Sequence, residues 1–146
     1  MTQPTILVLI GPNLNMLGRR DFGHYGEQTL EDIMRQVYER GAALDLEIDF
    51  RQSNYEGELV TWIQDALDHV DGIVINAAAY THTSIAIHDA LALHDAPIVE
   101  VHHSEPKQRE SFRHVSYIEP LADKVITGEK GDGYLTALDY LGNTIG

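Results

Sequence analysis

Three short, almost continuously apolar runs constrain the fold of this chain more than any other feature. They are TILVLI (Thr5–Ile10), GIVI (Gly72–Ile75) and IVEV (Ile98–Val101). Runs of this kind, without a regular polar alternation, are typical of strands that are buried on both faces. Because patterns with helical spacing separate the runs, we expect an α/β fold in which helices cover both faces of a parallel sheet.

The segments between these runs supply the remaining elements. A helical pattern starts at Leu30, where Thr29 and Asp32 match a capping box, and Gly41 is expected to end it. Residues 44–51 alternate between apolar and charged side chains, which predicts a strand at the sheet edge. The other predictions are a helix opened by a Ser53–Glu56 capping box, a helix Ser84–Asp95, a strand Lys124–Thr127 and a helix Tyr134–Leu141.

Composition narrows the possible partners and the compartment. The 146 residues fit one domain, 1–146, which carries a net charge of -13. Such a field repels phosphate groups, so neither nucleic acid nor an anionic membrane is an expected partner. The N-terminal apolar run is too short for a secretory signal or a membrane span. With 0 cysteines, the sequence fits the cytoplasm.

Polar residues follow the predicted strands at their carboxyl ends, where sheets of this kind bind ligands. Asn13 and Asn15 follow the first predicted strand (Thr5–Ile10), and Asn76 and His82 follow the third (Gly72–Ile75). The fourth predicted strand (Ile98–Val101) leads into His102-His103-Ser104, with Arg109 and Arg113 shortly after. The sequence therefore predicts a polar site for a small anion.

Glu100 and His102 are two residues apart on the predicted fourth strand, so their side chains project from the same face. A carboxylate bonded to one imidazole nitrogen fixes the tautomer of the ring and makes it a positioned acid or base. The alternative is a buried pair in which each group only satisfies the other.

The long loop after the first strand places Arg19 and Arg20 near Tyr25. A guanidinium held against a phenol stabilises the phenolate, which would make Tyr25 a base. The alternative is a solvent-facing loop with incidental charges, although loops of this length in compact domains are often functional.

Neutral hydrogen-bonding side chains at Asn13, Asn76, His82 and Ser104 suit the hydroxyl groups of a substrate, although asparagine after a strand also forms turns. We expect a short helix after Ser104, with backbone N–H groups that bind a carboxylate and Arg113 as countercharge. Metal and phosphate sites are not expected, because the sequence has no HExxH, Walker or GxGxxG motif.

Several longer segments, in order along nearly the whole chain, carry a family resemblance. They are GPNLNMLGRR with HYG (11–26), RQSNYEGELVTWI (51–63), INAAAYTHTSIAIHDAL (75–91), VEVHHSE (99–105), RESFRHVSYI (109–118) and GYLTAL (133–138). Together they resemble type II 3-dehydroquinate dehydratase of the shikimate and quinate pathways. The resemblance implies a flavodoxin-like three-layer sandwich with a five-stranded parallel sheet. It also implies elimination of water from 3-dehydroquinate to give 3-dehydroshikimate, through an enolate, without a cofactor and without a Schiff base.

The resemblance also assigns the chemical roles. Tyr25 removes the proton next to the ketone while Arg20 keeps Tyr25 ionised. His102, backed by Glu100, protonates the departing hydroxyl, and Asn13 helps to hold a water that stabilises the enolate.

The remaining roles concern binding and assembly. The resemblance implies that side chains of Asn76, His82 and Arg113, with the backbone of His103 and Ser104, bind the substrate. Asp89 reaches the site of a neighbouring subunit, within a dodecamer of trimers. Ile85, Ala90 and Leu91 are expected to face inward, which turns Asp89 away from its own core.

One three-residue segment and three single positions depart from the family pattern. Ala77–Ala79 stands where the family usually has a glycine, His88 replaces an arginine, His103 an aliphatic residue and Glu105 an asparagine. We still expect an active enzyme. The alternative from another class is a non-catalytic flavodoxin-like module for flavin or nucleotide, in which Tyr25 would have no role.

Overall fold

A computed structural model describes residues 3–19 and 22–145, and five parallel strands form its centre. The strands are β1 (Thr5–Ile10), β2 (Glu47–Gln52), β3 (Gly72–Asn76), β4 (Ile98–Val101) and β5 (Lys124–Ile126). The helices are α1 (Phe22–Tyr25), α2 (Leu30–Ala43), α3 (Glu56–Asp65), α4 (Ile85–Leu91) and α5 (Gly133–Ile145).

The strand order is β2-β1-β3-β4-β5, and every neighbouring pair is parallel. This is the flavodoxin-like order, so the predicted fold class and the edge position of β2 are confirmed. In the register, Ile10 pairs with Asn76 and Ile75 pairs with Glu100. The carboxyl ends of β1, β3 and β4 therefore lie side by side, and the strand order reverses between β1 and β3.

The core lies in two layers, one on each side of the sheet. Ile6 and Val8 of β1 pack in a buried cluster with side chains of α2 and α5. Leu7 and Leu9 pack in a second cluster with side chains of α3 and α4. Alternate residues of one buried strand thus serve opposite layers, which explains the continuous apolar run. The described helices are all too short or too polar to span a membrane.

The prediction that Gly41 ends its helix is wrong. The helix α2 continues to Ala43, and the left-handed turn that follows is made by Asp45, whose φ is 58°. A Cβ atom on Gly41 would collide with the side chain of Ile48 in β2. The glycine is therefore needed where the helix and the strand approach closely.

Three other helices differ from their predictions, and one of them, α5, runs from Gly133 to Ile145 rather than from Tyr134 to Leu141. The Ser53–Glu56 capping box is absent, because the Ser53 hydroxyl accepts a 3.0 Å hydrogen bond from the Tyr55 N–H and donates to Glu58. The helix α4 ends at Leu91, earlier than predicted, and Ile85 is 59% exposed rather than inward-facing. The Thr29–Asp32 capping box of α2 is confirmed.

Candidate active site

A pocket opens at the carboxyl ends of β1, β3 and β4, where the sequence places its polar residues. Most of the residues predicted for the site line this pocket: Asn13, Tyr25, Asn76, His82, His102, His103, Ser104 and Arg113. Arg109 also lines it. The position agrees with the rule that parallel sheets bind ligands where their strand order reverses.

Tyr25 ends the short helix α1 and is half-buried against the core. Nη1 of Arg109 donates a 2.7 Å hydrogen bond to the Tyr25 hydroxyl, and the guanidinium carbon lies 5.4 Å from the ring centre. Because a guanidinium stays charged, this contact places a permanent positive charge at the Tyr25 hydroxyl. Arg20, which the family resemblance assigns to the same task, lies outside the described residues.

Glu100 on β4 and His102 just beyond it form the predicted pair. Nε2 of His102 donates a 2.5 Å hydrogen bond to Oε2 of Glu100, and the same oxygen accepts a 2.7 Å bond from the Ser116 hydroxyl. Both members are buried, with exposures of 7% for His102 and 1% for Glu100. Since the carboxylate engages Nε2, Nδ1 is the ring nitrogen that can exchange a proton with a ligand.

His82 stacks on His102, with ring centres 6.5 Å apart. Its Nδ1–H donates a 2.7 Å hydrogen bond to the Val115 carbonyl, so Nε2 of the neutral ring is an acceptor. Burial lowers the pKa of His82, because the charged ring loses contact with water. A neutral His82 suits the recognition of a hydroxyl group.

Arg113 adds a second cation to the pocket. Its Nε donates a 3.1 Å hydrogen bond to Glu110, and its side chain is 24% exposed. Arg109 lies on the other side of Glu110, with an Nε to carboxylate distance of 3.7 Å. Two arginines at one pocket of a chain with a net charge of -13 support the prediction of an anionic ligand.

The two predicted asparagines are held differently. Asn76 is buried, its Oδ1 accepts a 3.0 Å bond from the Ala78 N–H, and its Nδ2 donates a 3.0 Å bond to the Tyr134 hydroxyl. Asn13 has a φ of 69° and an exposed side chain, while its N–H donates a 3.0 Å bond to the side chain of Asn54. Each asparagine forms part of a turn and also lines the pocket, so turn formation and ligand binding do not exclude each other.

The alanine segment 77–79 keeps a backbone conformation that favours glycine. Ala78 has a φ of 52°, in the left-handed region. Ala78 therefore has a Cβ atom in a turn where this conformation is unfavourable.

The predicted short helix after Ser104 is wrong. The segment forms two single 3-10 turns, Pro106–Gln108 and Ser111–Arg113, and Glu105 rather than Ser104 caps the first of them. Pro106 removes one N–H donor, and no apolar repeat draws the segment onto the core as a longer helix. A helix terminus therefore does not supply the expected N–H groups.

Asp89 does not line the pocket of its own chain. It is exposed on α4, in agreement with the predicted outward direction. Ile85 on the same helix is 59% exposed and Phe112 is 66% exposed.

Three contributors to the site escaped the sequence interpretation. The sequence indicates Arg109 only as a cation after β4 and Tyr134 only as part of a helix, and it gives no sign of Ser116. Arg109 and Tyr25 are 84 residues apart, so sequence spacing alone does not relate them. The one available signal is the presence of two arginines, four residues apart, in the segment that follows His102.

The arrangement combines a cation-paired phenol, a carboxylate-paired imidazole and hydrogen-bonding groups in one pocket. Such a site can remove a proton with one group and deliver a proton with another. Within residues 3–19 and 22–145, no three His, Cys, Asp or Glu side chains converge in a way that would hold a metal ion.

Comparison with known proteins gives a consistent result. The model of the family "Dehydroquinase class II" matches residues 4–142. The 3-dehydroquinate dehydratase of Mesorhizobium japonicum is 54% identical over 94% of this chain and 96% of its own length. That of Rhizobium johnstonii is 52% identical over 98% of both chains. The crystal structure of type II dehydroquinase from Propionibacterium acnes superposes with a TM-score of 0.93 at 41% identity, covering 97% of this chain and 98% of the other.

Proposed function

Because this chain belongs to the class II dehydroquinase family, its reaction is the dehydration of 3-dehydroquinate, and we propose that Tyr25 is the base and His102 the acid. The observation that carries the proposal is that two charge-paired groups, Tyr25 with Arg109 and His102 with Glu100, line or adjoin one pocket. We propose that residues 1–146 act as a single catalytic domain.

The first step removes a proton from the carbon next to the ketone. The Tyr25 phenolate, stabilised by the guanidinium of Arg109, accepts this proton, and the C–H electron pair forms an enolate. Arg20 adds a second positive charge at this point, as the family resemblance implies. A water held by Asn13 donates a hydrogen bond to the enolate oxygen.

The second step expels the hydroxyl group. Protonated His102, fixed through Nε2 by Glu100, delivers the proton of Nδ1 to the departing oxygen. The enolate electrons form the new C=C bond, and the hydroxyl leaves as water. After both steps, Tyr25 carries one proton more and His102 one proton fewer. The resting state returns when Tyr25 releases a proton to solvent and His102 takes one up.

Substrate binding uses the remaining polar groups. Neutral His82 and the amide of Asn76 face the hydroxyl groups, while the backbone N–H groups of His103 and Ser104 bind the carboxylate. Arg113 supplies positive charge beside them. The 3-10 turns after Ser104 fit this role without a helix, because it needs only single N–H groups.

We propose that the site is completed by Asp89 of an adjoining subunit, within a dodecamer of trimers. The exposed position of Asp89 on α4 and the exposed apolar side chains of Ile85 and Phe112 support this assembly. The absence of cysteine supports a cytoplasmic location.

The test is the ultraviolet absorbance of the conjugated enone formed from 3-dehydroquinate. The wild-type chain should produce it, and Tyr25→Phe should lose most of kcat while retaining the fold and most of the substrate affinity. Exposed Tyr55→Phe, on the loop before α3, is the matched control and should leave kcat unchanged. Near-normal turnover in Tyr25→Phe would contradict the proposal.

A further inference from the structure

The imidazole of His103 connects the segment that carries Tyr25 to the rest of the fold. His103 follows β4 and is 2% exposed. Its Nε2 lies 2.8 Å from the hydroxyl of Tyr134 on α5, and its Nδ1 lies 3.3 Å from the main-chain oxygen of Tyr25. The proposed function uses only the backbone of His103, so this side chain has no role so far.

The direction of each hydrogen bond follows from its neighbours. The Oδ1 of Asn76 accepts from the Ala78 N–H, so the amide nitrogen of Asn76 faces Tyr134 and donates to its hydroxyl oxygen. Tyr134 is fully buried, and burial raises its pKa, so the hydroxyl keeps its proton. With Asn76 as a donor to this oxygen, the hydroxyl proton points to Nε2 of His103.

These directions determine the state of the imidazole. Nε2 accepts a proton from Tyr134, so the proton of the neutral ring is on Nδ1. Nδ1–H then donates to the carbonyl of Tyr25. Each residue therefore donates a hydrogen bond to the next in the order Asn76, Tyr134, His103, Tyr25. This chain of hydrogen bonds connects β3, α5 and the β1–α2 loop.

We propose that His103 is a positioning residue that fixes the main chain of Tyr25 relative to the substrate-binding amide of Asn76. The inference rests on the proposed role of Tyr25 as the base. Arg109 holds the Tyr25 hydroxyl, and His103 holds the Tyr25 carbonyl, so the residue is attached at both ends. Tyr25 is on a helix of four residues, followed by Gly26 with a φ of 81°, and this short element gives it little support of its own. A small displacement of a catalytic group costs up to about a hundredfold in rate.

Two amide substitutions separate the two bonds of the ring. In His103→Gln, the amide reaches the position of Nε2, so it can accept from Tyr134 but no longer holds Tyr25. In His103→Asn, the amide occupies the position of Nδ1, so it can donate to the Tyr25 carbonyl while the Tyr134 hydroxyl loses its acceptor. Measurement of kcat, KM and the melting temperature of both variants tests the proposal.

We expect His103→Gln to keep a melting temperature close to wild type and a similar KM while kcat falls about tenfold or more. His103→Asn should retain more of kcat than His103→Gln despite a lower melting temperature. The control is His69→Gln, which should match wild type. His69 is exposed and precedes β3, so it lies at the end of the sheet opposite the pocket.

Wild-type kcat in His103→Gln would overturn the proposal, because the ring would then serve only as the hydrogen-bond acceptor of the Tyr134 hydroxyl. A raised KM with unchanged kcat would also overturn it, since it would place the side chain's effect on substrate binding. Tyr25→Phe is measured alongside: an active Tyr25→Phe variant rejects the proposed base, whereas an inactive one with a fully active His103→Gln rejects only the positioning role.

Discussion

Nη1 of Arg109 lies 2.7 Å from the hydroxyl oxygen of Tyr25, although 84 residues separate them in the chain. The contact gives a half-buried phenol a permanent positive neighbour. Arg109→Gln keeps a hydrogen-bond donor but removes the charge, so it tests electrostatics rather than packing.

We expect the rising limb of kcat/KM against pH to move to higher pH in Arg109→Gln, with activity about tenfold lower or more near neutrality. Exposed Arg35→Gln on α2 is the control and should leave the profile unchanged. Arg20→Gln, measured in the same way, separates the contributions of the two arginines. An unmoved limb in Arg109→Gln together with a moved limb in Arg20→Gln would assign the effective charge to Arg20.

The left-handed backbone of Ala78 predicts a stabilising substitution. Ala78→Gly removes a steric cost of about 1–2 kcal/mol. Against this, glycine loses about 0.5–1 kcal/mol more conformational freedom on folding. We therefore expect the free energy of unfolding to rise by up to about 1.5 kcal/mol, measured by denaturant titration. Ala79→Gly, whose φ is not positive, is the matched control and should be destabilising. Destabilisation of equal size in both variants would show that Ala78 is not strained.

The lowered pKa of His82 predicts a dependence of stability on pH. Burial keeps the folded pKa below the ordinary 6.5, so on acidification the unfolded chain binds a proton before the folded chain does. The free energy of unfolding should therefore decrease as pH falls from 6.5 through the folded pKa. His82→Asn retains an N–H for Val115 and does not titrate, so its stability should depend less steeply on pH. An identical slope in wild type and variant would contradict the prediction.

The proposed intersubunit position of Asp89 predicts complementation. Tyr25→Phe and Asp89→Ala subunits should each be inactive, yet dissociation and reassembly of a mixture should restore some activity. The reason is that some sites would then receive an intact Tyr25 and an intact Asp89 from different subunits. Sedimentation at neutral pH should show at least a trimer. A fully active monomer would contradict the shared site, and failure to complement in verified mixed oligomers would place Asp89 within its own subunit.

The sequence predicts local features of this fold well. Thr5–Ile10 and Ile98–Val101 are strands with the predicted bounds, because burial on both faces requires an apolar run that stops where the strand leaves the core. The Glu100–His102 pair was predictable for a similar reason, since residues two apart on a strand share a face.

Contacts between distant segments could not be predicted in this way. The hydrogen bond from Arg109 to Tyr25 and that from Tyr134 to His103 depend on how loops of the β1–α2 and β4–β5 connections pack. The segment after Ser104 has no apolar period, so its 3-10 turns leave no signal in the sequence. Gly41 does not end α2 because it serves a tertiary contact with Ile48, which a helix-end pattern in the sequence does not reveal.

The assignment of separate proton-transfer roles to Tyr25 and His102 is tested most directly by hydrogen exchange in D₂O. If Tyr25 forms the enolate before His102 protonates the leaving group, His102→Ala should not dehydrate 3-dehydroquinate but should still exchange the hydrogen next to the ketone. Mass spectrometry of the remaining substrate should detect deuterium above a control without enzyme. Tyr25→Phe should show neither exchange nor dehydration. Enzyme-dependent exchange in Tyr25→Phe, with none in His102→Ala, would contradict the account and reverse the two roles.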